Sequence, residues 1–195
     1  MLDWNQKVLT QDGPISLKEM ATTFADNKIP KDYHNRLYTA RPKTSRFIIQ
    51  QAKSFWVDVK KKFFLLNERG EWKPMEGLYF HGSTEVIFKT HFFASDLMKK
   101  CGKRVNEIVV KSNPLQQLLI IGPQKLRWSP VNSFEGIGQT FAVMKNPEID
   151  RAEYMGTVKS YTSTQFVSVI AKGSMGVCVE PGIVAFSGVS IGNNT

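Results

Sequence analysis

Cationic side chains are concentrated in one stretch of this sequence, where they could bind phosphate groups. Ten of the 26 Lys and Arg residues lie between Lys28 and Lys62, opposed only by Asp32 and Asp58, so this basic window carries +8 of the net charge of +9. A folded surface of such charge attracts polyanions, of which nucleic acid is the most general class. The side chains expected to contact phosphates, with some reaching base edges, are Arg36, Arg41, Lys43, Arg46, Gln50, Lys53, Lys60, Lys61 and Lys62.

A helix within the basic window would position these side chains. Pro42 breaks the chain, and Thr44 or Ser45 is placed to cap a helix that follows. Apolar residues then recur at helical spacing, at Ile48, Ala52, Phe55 and Val59. The pattern predicts a helix with one buried face and one cationic face that could lie on DNA. Solvation of the protein is the simpler explanation of the same charge.

Two further helices and a hairpin are predicted around this one. Ser16 and Glu19 have the spacing of a capping box, which marks a helix start. A second short helix is expected over residues 31–38. Residues 63–74 read as a hairpin that turns at Gly70, where a positive φ suits glycine. Helix, helix, helix, hairpin is also the order of winged-helix modules, which we use as an analogy only.

The second half of the sequence favours strands. Glycines separate short β-branched runs from Val131 onward, and strands are expected at residues 85–90, 105–111 and 115–121, with a helix from Ser95 to Lys100 between them. The predicted fold class is therefore α+β, with a helical N-terminal half that ends in a hairpin and a β-rich C-terminal half. Residues 1–80 and 81–195 are expected to form two regions or one continuous domain.

One short motif points to an enzyme instead. His81-Gly82-Ser83-Thr84 follows an apolar strand and is similar to the strand-end element of ADP-ribosyltransferases, in which the histidine holds the nicotinamide ribose. The resemblance implies a later Tyr and Glu, and Tyr161 and Glu180 are the late candidates. A turn after a strand explains the same four residues without chemistry.

A second constellation superficially resembles metal-dependent nucleases. Asp58 followed by Glu71-x-Lys73 has the residue types with which such enzymes hold Mg²⁺ and orient water. Arg69-Gly70 precedes the Glu directly, which favours a solvated hairpin. Paired zinc-ligand spacing and a phosphate-binding glycine loop are both missing from the sequence, so no cofactor or metal is expected.

The remaining features concern location and assembly. Cys101 and Cys178 are expected to be free thiols, the second buried in a strand. With no secretory signal and no apolar run long enough to span a membrane, an intracellular (cytoplasmic or nuclear) or virion location is expected. The weakly charged strands of residues 177–191 could form an ordinary β-core or an edge that pairs with a second copy.

The leading functional prediction is therefore non-enzymatic binding of DNA or RNA through the basic window. The alternative is a viral or phage structural protein that contacts genome, or an anionic membrane surface, and self-associates through its C-terminal strands. An enzyme of one of the two kinds above is the third class.

Overall fold

A computed structural model describes residues 1–25, 37–38, 55–94, 107–134, 139–145 and 148–187. Within these ranges, nearly all regular structure is β, with one α-helix, α1 (Leu17–Thr23), and one 3-10 turn (Val131–Ser133). The strands are β1 (Leu2–Asp3), β2 (Lys7–Thr10), β3 (Gly13–Ser16), β4 (Leu37–Tyr38), β5 (Phe55–Val57), β6 (Phe64–Leu66), β7 (Trp72–Ala94), β8 (Glu107–Ser112), β9 (Gln117–Ile121), β10 (Leu126–Pro130), β11 (Thr140–Lys145), β12 (Glu148–Ala171), β13 (Gly176–Val179) and β14 (Ile183–Phe186).

The two longest strands form an antiparallel ribbon that organises the sheet. β7 and β12 pair from Met75 opposite Ala171 to Ala94 opposite Ala152, with four register shifts along the way. Such shifts bend and twist a ribbon, which lets it curve round a core. β8 pairs with the far part of β7, and β11 pairs with the start of β12.

The first strand lies inside the sheet. Leu2 of β1 pairs with Val167 of β12 on one side and with Ser112 of β8 on the other. The last strand is also internal, because β14 pairs with β13, β9 and β11. The two ends of the described chain are therefore built into the middle of the sheet.

The core is filled by aromatic and aliphatic side chains from strands that are distant in sequence. Phe92 of β7 and Phe141 of β11 are fully buried with ring centroids 4.8 Å apart, and the ring of Phe134 lies at the same distance from that of Phe141. Each buried side chain of this size contributes about 1.5–3 kcal/mol through loss of apolar surface from water.

The α+β prediction is wrong, because the structure has no helical N-terminal half within the described residues. Phe55, assigned to the third helix, lies in β5 and pairs with Phe80 of β7. Val59 bridges Ala25, and residues 37–38 of the second predicted helix are strand β4. Helical spacing of apolar residues did not decide the structure here, since pairing of β5 with a distant strand also satisfies backbone hydrogen bonds.

Several local predictions are confirmed. The Ser16 side chain accepts a hydrogen bond from the Glu19 backbone and caps α1. β6 and β7 form the predicted hairpin, with Gly70 at φ 74°. Cys178 is a buried free thiol in β13. The predicted helix from Ser95 to Lys100 and Cys101 lie outside the described residues.

The helix content also bears on membrane association. In the part of the chain that the structure describes, the one helix is too short and too polar to cross a membrane.

Candidate functional site

A single buried amide connects the two ends of the described chain. Gln116 lies in the turn between β8 and β9 and is 2% exposed. Its Oε1 accepts a hydrogen bond from the Met1 amino nitrogen at 2.5 Å, and its Nε2 donates to the carbonyl oxygens of Phe186 and Gln117, each at 2.8 Å. One acceptor and both donors of the amide are thus occupied. The first residue and the end of β14 meet at this side chain.

Met1 is held in place by the strands on both sides of β1. Its carbonyl oxygen accepts a hydrogen bond from the Asn113 backbone at 3.1 Å. Asp3 fixes the other end of β1, because its Oδ1 accepts hydrogen bonds from the backbone and side chain of Asn5 and from the hydroxyl of Thr164. Burial lowers the pKa of the Met1 amino group to about 5, so the amine is neutral at pH 7.

His81 and Ser168 form a second polar pair beside β1. His81 is the extra residue of a bulge, because Gly82 pairs with Phe166 and Phe80 pairs with Val167. Bulges re-aim side chains, and here the His81 Nε2 lies 2.9 Å from the Ser168 Oγ. The antiparallel register that pairs Leu2 with Val167 places Met1 next to Ser168.

The imidazole of His81 is neutral at pH 7. Burial, and then the positive charge that the Met1 amine carries below about pH 5, lower its pKa to about 4. A hydroxyl beside a neutral imidazole is the pairing of a nucleophile with a base, and the low pKa makes His81 a weak base.

Asn113 is a buried amide without partners. It is 1% exposed, and neither its Oδ1 nor its Nδ2 has a hydrogen-bond partner in the described structure. Leaving such a group unsatisfied costs about 1–3 kcal/mol. Since its own backbone contacts Met1, this amide is available to a polar group that enters the site. We call Met1, His81, Asn113, Gln116 and Ser168 the terminal site.

The predicted nucleic-acid residues do not belong to this site. Lys61 makes an ion pair with Asp12 at 2.9 Å and lies over the rings of Phe24 and Phe63. Lys62 lies over the ring of Phe64 at 5.3 Å, and the Lys60 backbone donates to Phe24. The other six residues, Arg36, Arg41, Lys43, Arg46, Gln50 and Lys53, lie outside the described residues.

The residues of the two enzyme alternatives are also dispersed. Tyr161 is 83% exposed on β12, and Glu180 is exposed in the turn between β13 and β14. Asp58 accepts from the Trp56 indole at 2.7 Å, whereas Glu71 pairs with Lys73 at 3.2 Å. No group of three His, Cys, Asp or Glu side chains able to hold a metal occurs among the described residues.

Sequence reasoning found His81 but missed Gln116, Asn113 and Ser168. The turn from Asn113 to Gln116 matches no sequence motif. The role of the Gln116 amide arises from hydrogen bonds to Phe186 and Met1, which lie 70 and 115 positions away in the sequence. The four-residue pattern at residues 81–84 indicated His81, but its hydrogen-bond partner, Ser168, lies on the paired strand β12.

Comparison with known proteins identifies the fold. Neither a protein-family model nor a curated protein matches the sequence. Among solved structures, the chain is similar to the PabCDC21-1 intein, with TM-score 0.64 and 10% identity over 95% of this chain and 97% of that one. The chain is also similar to an intein from a hyperthermophile, with TM-score 0.63 and 12% identity over 95% of this chain and 98% of that one. For a DnaB intein from Synechocystis sp. PCC 6803, the TM-score is 0.58 and the identity is 8%, over 96% of this chain and 98% of that one.

These similarities correct the functional prediction. Inteins are protein-splicing domains, and the fold they share with this chain is neither that of a nucleic-acid-binding module nor that of a virion component. The predictions of DNA or RNA as partner and of a viral structural role are therefore wrong. What the comparisons establish is that the chain has an intein-like β fold.

Proposed function

We propose that this chain is a self-processing domain that acts on a peptide bond of its own polypeptide at the terminal site. The observation that carries the proposal is the Gln116 amide, which holds the Met1 nitrogen and the Phe186 carbonyl at once. This amide places the Phe186 carbonyl beside the other polar groups of the terminal site, where a peptide bond of the chain can be processed. The intein-like fold supports the proposal, since the proteins with that fold are splicing domains.

The terminal site contains the group types that acyl transfer requires. Ser168 supplies a hydroxyl, and His81 supplies a neutral imidazole 2.9 Å from it. The amides of Gln116 and Asn113 supply N–H donors of the kind that stabilise an oxyanion. A hydroxyl, a proton acceptor and oxyanion donors are the groups with which enzymes cleave peptide bonds through an ester.

The acyl group that the terminal site holds is the Phe186 carbonyl, because the buried Nε2 of Gln116 donates to its oxygen at 2.8 Å. We therefore propose cleavage on the side of the chain that follows β14, without joining of the two flanks.

The test is a fusion that carries one soluble protein before residue 1 and another, of different size, after residue 195. Gel electrophoresis and intact mass over several days should show release of the second carrier. Gln116→Ala removes the donor to Phe186, and loss of one such donor slows acyl transfer by about 10²–10³-fold. Gln117→Ala is the matched control, because its contact with Gln116 runs through the backbone only. A folded fusion that stays intact would overturn the proposal.

A further inference from the structure

The Phe186 carbonyl is held in the manner of an activated acyl group. Its oxygen accepts a hydrogen bond from the buried Nε2 of Gln116 at 2.8 Å. The ring of Phe186 packs edge-on against Trp128 with centroids 5.3 Å apart, and its backbone pairs with Gly176. Gly176 in turn leaves room for the Trp128 ring, which a Cβ would meet at 2.7 Å. The carbonyl and its donor are thus fixed before any reaction, which is what oxyanion stabilisation requires.

The residue that follows carries a hydroxyl next to this carbonyl. Ser187 is 7% exposed. Both its backbone nitrogen, at 2.9 Å, and its Oγ, at 3.2 Å, donate to the carbonyl oxygen of Met175. One acceptor therefore holds the oxygen that would attack and the nitrogen that would leave. A serine in this position can close a small ring onto the preceding carbonyl carbon.

We infer that the bond processed is Phe186–Ser187, and that Ser187 itself, rather than Ser168, is the nucleophile; this inference rests on the proposed function. The Ser187 Oγ attacks the Phe186 carbonyl carbon, a C–O bond forms, and the C–N bond to Ser187 breaks. The hydroxyl proton passes to the departing nitrogen, which becomes a free amine. Water then hydrolyses the ester, leaving a carboxylate on Phe186 and restoring the Ser187 hydroxyl. Gln116 donates to the oxyanion in both steps.

The sharpest test converts the ester to a thioester. In Ser187→Cys the same shift places the acyl group on sulfur, where added dithiothreitol or hydroxylamine intercepts it. We expect a fragment ending at Phe186 to appear at least about tenfold faster than in the unsubstituted chain, since a thiol is the stronger nucleophile. Adding Gln116→Ala should slow this release by about 10²–10³-fold.

Ser133→Cys is the matched control, because it places a thiol on an exposed serine outside the site. The inference is overturned if Ser187→Cys, shown by circular dichroism to be folded, is not cleaved after residue 186. It is also overturned if cleavage occurs equally at the introduced cysteine in Ser133→Cys and in Ser187→Cys.

If Ser187→Cys does not fold, Ser187→Thr with hydroxylamine decides the same point. If the fusion releases its carrier and Ser187→Ala leaves the rate unchanged, the inference fails while the proposed function stands. If the Ser187→Cys thioester is intercepted at residue 186 but the unsubstituted fusion stays intact, the proposed function fails and the inference fails with it.

Discussion

His81 occupies an environment that opposes its protonation. Its pKa falls from an ordinary 6.5 to about 4, mainly through burial. Between these values the unfolded chain binds the proton and the folded chain does not. The folded state therefore has its full stability with respect to His81 above about pH 6.5, and it loses stability relative to the unfolded chain as the pH falls toward 4. The loss is on the order of 3 kcal/mol.

His81→Gln tests this account and keeps a side chain that can hydrogen-bond Ser168. We expect the difference in unfolding free energy between about pH 7.5 and about pH 4.5 to be smaller in the variant, measured by urea denaturation. The Met1 amine also titrates in this range, but it is common to both proteins and cancels in the comparison. Identical pH dependence of the two proteins would contradict the prediction.

Asn113 should be a residue whose loss stabilises the fold. Its buried amide has no hydrogen-bond partner in the described structure, so the cost of removing that amide from water is not offset. Asn113→Leu removes this cost and should raise the free energy of unfolding by about 1–3 kcal/mol. Asn67 is the control, since it is equally buried but bonds Glu71 and Ser174. Asn67→Leu should destabilise by a similar amount. Destabilisation by both substitutions in urea would show that the Asn113 amide is satisfied in solution.

At the scale of elements, local patterns predicted what local contacts form. The capping box at Ser16 and the turn at Gly70 depend on residues a few positions apart, and the sequence located both correctly. The β7–β12 ribbon depends on pairs such as Met75 with Ala171, which no local pattern reveals. Local patterns could not predict the terminal site either, because Gln116 makes its contacts only when β1 and β14 lie on either side of it.

β5 is the element whose assignment changed most, and its packing can be tested directly. Trp56 lies so close to Gly77 of β7 that a Cβ there would be 2.4 Å from the indole ring. Gly77→Ala should therefore destabilise the fold by about 1–3 kcal/mol through overpacking. Trp56→Ala should remove the clash with the indole and leave only the contact with the Val57 carbonyl oxygen at 2.9 Å, so the double variant should lose less than the sum of the single losses in urea. Additive losses would place Trp56 away from β7, as in the helix first predicted.

At the scale of the molecule, Gln116 joins the start of β1 and the end of β14 in one structural unit. Gln116→Leu would leave the Met1 amine and the carbonyls of Phe186 and Gln117 without this partner, at a cost of about 2–5 kcal/mol. Because β1 and β14 both border the vacated amide, hydrogen exchange followed by mass spectrometry should show faster exchange in both strands, while distant hairpins such as β6–β7 keep their protection. Gln117→Leu should leave both ends protected. Loosening of one end alone would mean that the ends are held separately, and the proposed processing at a shared site would lose its structural basis.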